Sequence, residues 1–197
     1  MKRTQRMIGW LKKQAHVLEQ LSEHRLIEKV KQGDKEAFGQ LYLHYLDSIY
    51  RYIFFRVNQE KPVAEDLTQT VFFKAWQGIE NFRTEKGNFR AWLYRIAHNC
   101  VLDYYKIHKP AGRVDENVAD GKTIETLEEQ LDTKDRIEKI KRALERVTDE
   151  QKTVIILKFI DGFSNQEIAK IVGKHEDAVR ALQYRGLERL RQILNHE

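Results

Sequence analysis

Apolar positions recur every three or four residues along most of the chain, the spacing of helices that bury one face. Ala37, Phe38, Leu41, Tyr42, Tyr45, Ile49, Tyr52 and Ile53 form the longest such stripe. Gly33 suits the end of a preceding helix, and Asp34 suits an N-cap for this one. Pro62 fits a first helical turn, where its missing N–H has no intrahelical partner. After it, Val63, Leu67, Val71, Phe72 and Trp76 predict a second helix. A third begins near Asn88 and carries Trp92, Ile96, Cys100 or Val101, and Tyr104. The run Val154-Ile155-Ile156-Leu157 lacks a period, but it lies between the capping-box pattern Thr148-x-x-Gln151 and Gly162. That context predicts a buried helix rather than a strand. No convincing period-two segment and no solenoid repeat interrupts the pattern, so the predicted class is all-α.

Charge divides this helical chain. Residues 1–21 carry five basic groups and one acid, whereas residues 111–135 carry three basic groups and eight acids. The acidic stretch opens just after Pro110 and holds few large apolar residues, as a solvated linker between two small helical modules would. An exposed acidic helix belonging to one module is the alternative. The flanking segments carry a net charge of +10 and the acidic stretch −5, which together give the chain its +5. No apolar run reaches the roughly 18–20 residues of a membrane helix. Lys12, Lys13 and His16 break the stretch a secretory leader would need. The single cysteine, Cys100, cannot form an internal disulfide and fits a reducing, cytoplasmic setting.

Near the C-terminus, Ser164-Asn165-Gln166-Glu167 is a second capping box, and the short helix it opens stops at Gly173. A following helix runs from near Glu176 to about Leu194. Ala169 is small enough for close helix approach, Gly173 supplies the turn and Val179 anchors the second helix. This is helix-turn-helix spacing, with a purely structural hairpin as the alternative. In the DNA-binding reading, Arg180 and Arg185 suit guanine edges or phosphates, and Gln183 suits adenine. Lys174 and His175 at the turn suit phosphate.

Between Asn81 and Asn99, aromatics alternate with Arg, Lys and Asn around a predicted loop at 83–88. Aromatic and guanidinium planes stack on bases while cations track phosphates, so the stretch suits single-stranded DNA. Trp92, Ile96 and Phe82 are assigned mainly to packing. Asp66 and Gln69 lie three residues apart on one helical face, with Glu65 beside them. Such a group serves equally as solvated surface, partner contact or metal site. No further ligands stand at metal-binding spacing, so no metal and no cofactor is expected.

Together these segments resemble the extracytoplasmic-function (ECF) group of bacterial sigma factors. Residues 64–76, Ala64-Glu65-Asp66-Leu67-Thr68-Gln69-Thr70-Val71-Phe72-Phe73-Lys74-Ala75-Trp76, are similar to the family's polymerase-binding helix. Phe82-Arg83 with Trp92-Leu93-Tyr94-Arg95-Ile96-Ala97-His98-Asn99 is similar to its promoter-melting segment, and Leu157 to Leu190 to its −35-reading helix-turn-helix. The resemblance implies sigma domain 2 at residues 22–110 and sigma domain 4 at 136–197, joined by the acidic linker 111–135. Residues 1–21 form a basic extension before the usual family start. It implies polymerase contact by Asp66, Gln69, Phe72 and Phe73. It implies contact with the melted −10 non-template strand by Arg83, Lys86, Asn88, Arg90, Arg95 and Asn99. Contact with duplex −35 DNA falls to Lys174, His175, Arg180, Gln183 and Arg185. The implied partners are core RNA polymerase, promoter DNA and an anti-sigma factor, with no small-molecule substrate and no catalysis.

The sequence departs from the common family form at Ala181, Leu182 and Gly186, where Ser, a basic residue and Ala are usual. A different −35 preference is expected from this. The runner-up is a stand-alone helix-turn-helix regulator, which would dimerise on duplex half-sites and leave the Asp66/Gln69 face without a purpose. A third reading, an all-α hydrolase using Glu65 and Asp66 with a metal, lacks further ligands.

Overall fold

The structure, a computed structural model, describes residues 22–83, 87–108 and 139–195. The extension 1–21, the linker 111–135 and Lys86 lie outside the described residues. All regular structure among the described residues is helical.

Helix α1 covers residues 22–31 and ends at Gly33, whose φ of +92° is a left-handed conformation that glycine adopts without strain. Asp34 then caps α2 (Lys35–Arg56), its Oδ1 accepting from the Ala37 N–H at 3.0 Å. Helix α3 (Lys61–Gly78) has Pro62 in its first turn and continues through a 3₁₀ turn, Ile79–Asn81. Helix α4 (Phe89–His108) completes the first module. In the second, α5 covers residues 139–145 and α6 (Asp149–Ile155) starts at the Thr148/Gln151 capping box. A π turn, Ile156–Ile160, extends α6, and α7 (Asn165–Val172) starts at the Ser164/Glu167 capping box. Gly173, with φ of +67°, turns the chain into α8 (Glu176–Asn195).

The expected stripes on α3 and α4 are each rotated by about one residue. On α3 the buried line is Ala64, Thr68, Val71, Phe72 and Ala75, with Val63, Leu67 and Trp76 at its margin. Two alanines in that line let neighbouring helices approach closely. On α4, Phe89, Leu93, Tyr94, Ala97, His98, Cys100 and Val101 are buried, while Trp92 and Ile96 are only half-buried. This line is wide because α4 is covered twice: α2 and α3 pack on one side, and α7 of the second module packs on the other.

The modules therefore share one apolar core that runs from Ile27 through Val101 to Leu182. Burying side chains such as Ile49, Leu93 and Ile168 contributes about 1.5–3 kcal/mol each. Within the second module, α6 and α8 approach so closely that a Cβ on Gly186 would stand 2.7 Å from Ile155 Cδ1. The absence of a side chain at 186 is what sets that distance.

Candidate polymerase and nucleic-acid interfaces

On α3, Asp66, Gln69 and Phe73 are exposed at spacings of three and four, forming one outward ridge. Phe73 is 61% exposed, a large apolar side chain held in solvent. Phe72 corrects the sequence expectation. It points inward, its ring centroid 4.6 Å from that of Tyr42 on α2, because it lies on the buried line through Ala64, Thr68 and Ala75. It supports the ridge from beneath and does not reach a surface partner. Leu43 on α2, 73% exposed, is a second outward apolar residue that the helical stripe gave no reason to single out. Among the described residues no group of three or more His, Cys, Asp or Glu side chains is placed to hold a metal.

A second surface surrounds the start of α4. Phe82, Phe89 and Trp92 form a three-ring cluster with centroids 5.1–5.5 Å apart. Asn88 caps α4, its Oδ1 accepting from the Arg90 N–H at 2.8 Å. One turn apart, Arg95 and Asn99 face outward, and Arg83 is exposed at the loop's edge. A cavity of about 320 Å³ opens here, lined by Asn81, Arg83, Asn88, Trp92 and Arg95 from the first module. Glu167 and Lys170 of α7 close its other wall.

Arg90 lies elsewhere. Its guanidinium sits 4.1 Å from the centroid of the Phe163 ring and donates to the Asp161 carbonyl. The sequence placed it with the strand-facing residues, whereas in the structure it joins the two modules. Asp161 and Phe163 were missed by sequence reasoning. They fall in the turn after the apolar run, where the only visible signal was Gly162.

On the helix-turn-helix, Lys174 and His175 are exposed at the turn. Lys174 Nζ pairs with Glu150 at 2.7 Å. Arg180 is exposed and bound by its own helix, Nη2 reaching Glu176 at 2.7 Å and Nη1 reaching Asp177 at 3.4 Å. Gln183 donates to Asn165 Oδ1 at 2.9 Å and is half-buried, while Arg185 is exposed. Tyr184, 72% exposed and four residues beyond Arg180, shares its outward face. Counting outward from the buried Val179 and Leu182 would have found it, but selection by base chemistry passed over it. Leu182 is buried and lines a cavity of about 260 Å³ with Arg56, His98, Leu102 and Lys174. This position therefore presents no side chain to a surface partner.

Residues 41–109 match the family model Sigma-70 region 2, and residues 137–190 match Sigma-70, region 4. The ECF RNA polymerase sigma factor SigW of Bacillus subtilis (strain 168) is 32% identical over 178 residues, covering 85% of this chain and 94% of SigW. This chain belongs to the ECF family of RNA polymerase sigma factors. Its activity is accordingly that of a sigma factor, directing transcription initiation. The ECF sigma factor BldN of Streptomyces coelicolor (strain ATCC BAA-471 / A3(2) / M145) is 35% identical over 175 residues, 86% of this chain. The sigma factor spans 64% of BldN's length. Its fold is similar to the sigma factor RpoE from Bartonella quintana, solved with the anti-sigma factor NepR, at a TM-score of 0.63 and 22% identity. That likeness covers 80% of this chain and 96% of RpoE.

Proposed function

We propose that this sigma factor works in the cytoplasm as a non-enzymatic specificity subunit. It docks on core RNA polymerase through Asp66, Gln69 and Phe73, reads duplex −35 DNA with α8, and holds the melted −10 strand on α4. The observation that carries this reading is the start of α4, where exposed Arg83, Arg95 and Asn99 lie around the half-buried Trp92 and a cavity. Cations follow phosphates, and Trp92, the one ring of the cluster that is not buried, offers a face worth about 1–3 kcal/mol to a stacked base. A base held there together with phosphate contacts offsets an unpairing cost of a few kcal/mol. Strand separation then follows from binding energy alone.

In this reading residues 22–110 bind polymerase and the −10 strand, residues 136–197 bind the −35 duplex, and the acidic linker 111–135 threads toward the polymerase active site. An anti-sigma factor, of the kind found with RpoE, would cover the polymerase-binding faces. A stand-alone regulator would leave the α3 ridge and the α4 surface without a role.

The test is transcription of genomic fragments by bacterial core RNA polymerase with and without the protein. Defined starts that depend on the protein are expected, with shared upstream elements. Their absence, together with no binding to core enzyme, would overturn the reading.

A further inference from the structure

We propose that residues 1–21 of this chain dock on the outer face of the α2–α3 hairpin and compete there with core RNA polymerase. The inference rests on the reading of α3 given above, which places the polymerase on Asp66, Gln69 and Phe73.

Helix register defines the face. Ring contacts between Tyr42 and Phe72 at 4.6 Å and between Phe38 and Trp76 at 4.8 Å align α2 antiparallel to α3. Successive side chains on a helix turn by about 100°, and in antiparallel helices they do so in opposite senses. The residue that follows each member of a facing pair therefore points to the same side. By this rule Leu43 and Phe73 share one side of the hairpin, where they are 73% and 61% exposed.

The same side continues along α2 through Asp47, Tyr50 and Phe54, spaced from Leu43 as residues on one helical face are. Tyr50 and Phe54 stack at 5.8 Å and are only half-buried. An apolar strip thus lies open to solvent, and the exposed acids Asp47, Glu65 and Asp66 border it. Contiguous apolar surface rimmed by charge is the composition of a docking site.

Residues 1–21 fit this strip in chemistry and in position. Met7, Trp10, Leu11, Leu18 and Leu21 recur at helical spacing and supply an apolar face of their own. Five basic groups against one acid complement the acidic border. The segment joins α1 at Ser22, and the neighbouring Glu23 carboxylate accepts from the Tyr45 hydroxyl. Tyr45 is two residues from Leu43, so residues 1–21 leave α1 at the level where the strip begins. From Leu43 to Phe54 the strip runs about 17 Å at 1.5 Å per residue, and 21 residues span about 30 Å even when helical. A tether of this kind holds its segment at an effective concentration in the millimolar range, so weak contacts suffice to fill the strip. Phe73 and Asp66 belong to the strip and to the polymerase ridge, so the two occupants exclude each other.

The test begins with full-length protein carrying p-benzoylphenylalanine in place of Leu43, irradiated and mapped by mass spectrometry. A cross-link to residues 1–21 within one chain is expected, and it should be lost when Trp10→Ser and Leu11→Ser are introduced together. That double variant keeps the net charge. With Leu43 in place, it should bind core RNA polymerase more tightly than the unaltered chain, by about ten-fold if the docked form holds nine-tenths of the population. Circular dichroism verifies that each preparation is folded. Cross-links that miss residues 1–21, or that join two copies of the chain, would overturn the proposal. Unchanged or weaker polymerase binding by the double variant would overturn it as well. Asp66→Ala, added to the double variant, separates the proposal from the reading beneath it. Weakened polymerase binding there alongside a missing cross-link would remove the docked segment and leave the α3 ridge intact. Undiminished binding there would remove the ridge, and with it the competition.

Discussion

Arg51 on α2 donates to Asp161 at 3.0 Å across 110 positions of sequence and across the boundary between the modules. The pair lies beside Arg90 and Phe163, so the residues that join the modules neighbour those assigned to the promoter strand. Packing and function are therefore coupled at α4.

The α3 ridge gives the simplest mutational prediction. Asp66→Ala and Gln69→Ala should weaken binding to core RNA polymerase. Both side chains are exposed, so unfolding should shift by no more than about 0.5 kcal/mol. Binding measured by fluorescence anisotropy alongside thermal melts checks this, and wild-type affinity in both variants would contradict the assignment.

Arg180 is expected to exchange its contacts with Glu176 and Asp177 for DNA. If it makes a bidentate base contact, Arg180→Ala should cost about 1–3 kcal/mol of discrimination at one −35 position. Competition binding with single-base variants of a recovered −35 element measures this. A loss equal for all sequences would instead identify a phosphate contact.

His98 makes stability depend on pH. Burial, then the charges of Arg56 and Lys174, push its pKa down to about 4. Tyr52 from α2 meets its Nδ1 at 3.3 Å, and Asp149 and Glu150 of α6 line the same cavity. A depressed histidine is neutral in the folded chain and gains a proton on unfolding, so stability should fall as pH drops from about 6.5 toward 4. The contribution of this group between pH 7 and 5 is about 2 kcal/mol. Urea melts across that range should show the loss, and His98→Gln should flatten it. An unchanged slope in the variant would assign the acid sensitivity to other groups.

Gly186→Val would drive a branched side chain into Ile155 and Gln151, whose nearest atoms stand 2.7 and 3.2 Å from a Cβ at that position. Overpacking of this kind costs about 1–3 kcal/mol. Thermal melts should record the loss, and a Tm equal to that of the unaltered chain would show that α8 can move away from α6 freely.

Local signals were largely legible in the sequence. The Asp34 cap, the two capping boxes, the Gly173 turn and the buried Val179 depend on residues within a few positions of one another, where spacing fixes the geometry. The α3 face carrying Asp66 and Gln69 followed in the same way; as partner contacts Phe72 and Phe73 entered only with the family resemblance, and of the two only Phe73 is exposed, because adjacent aromatics on a helix face different neighbours. What periodicity could not supply was the second cover on α4. Tyr94 and His98 are buried by contacts that include Phe163 and the surroundings of Lys174, some seventy positions away. For the same reason, Arg90 read as a strand contact: nothing near it in sequence announces Phe163. The left-handed turn at Asn58 and Gln59 closes α2, with the Gln59 N–H donating to the Phe54 carbonyl at 2.9 Å; it was equally hidden, since Asn tolerates that conformation without requiring it.

The most direct measurement of the central claim is permanganate reactivity of thymines on a promoter recovered with this protein. The account predicts reactive −10 thymines on the non-template strand only when core RNA polymerase and this sigma factor are both present, with reactivity reduced by Arg95→Ala. Equal reactivity with core enzyme alone, or none in a stable complex of promoter, polymerase and this chain, would contradict it.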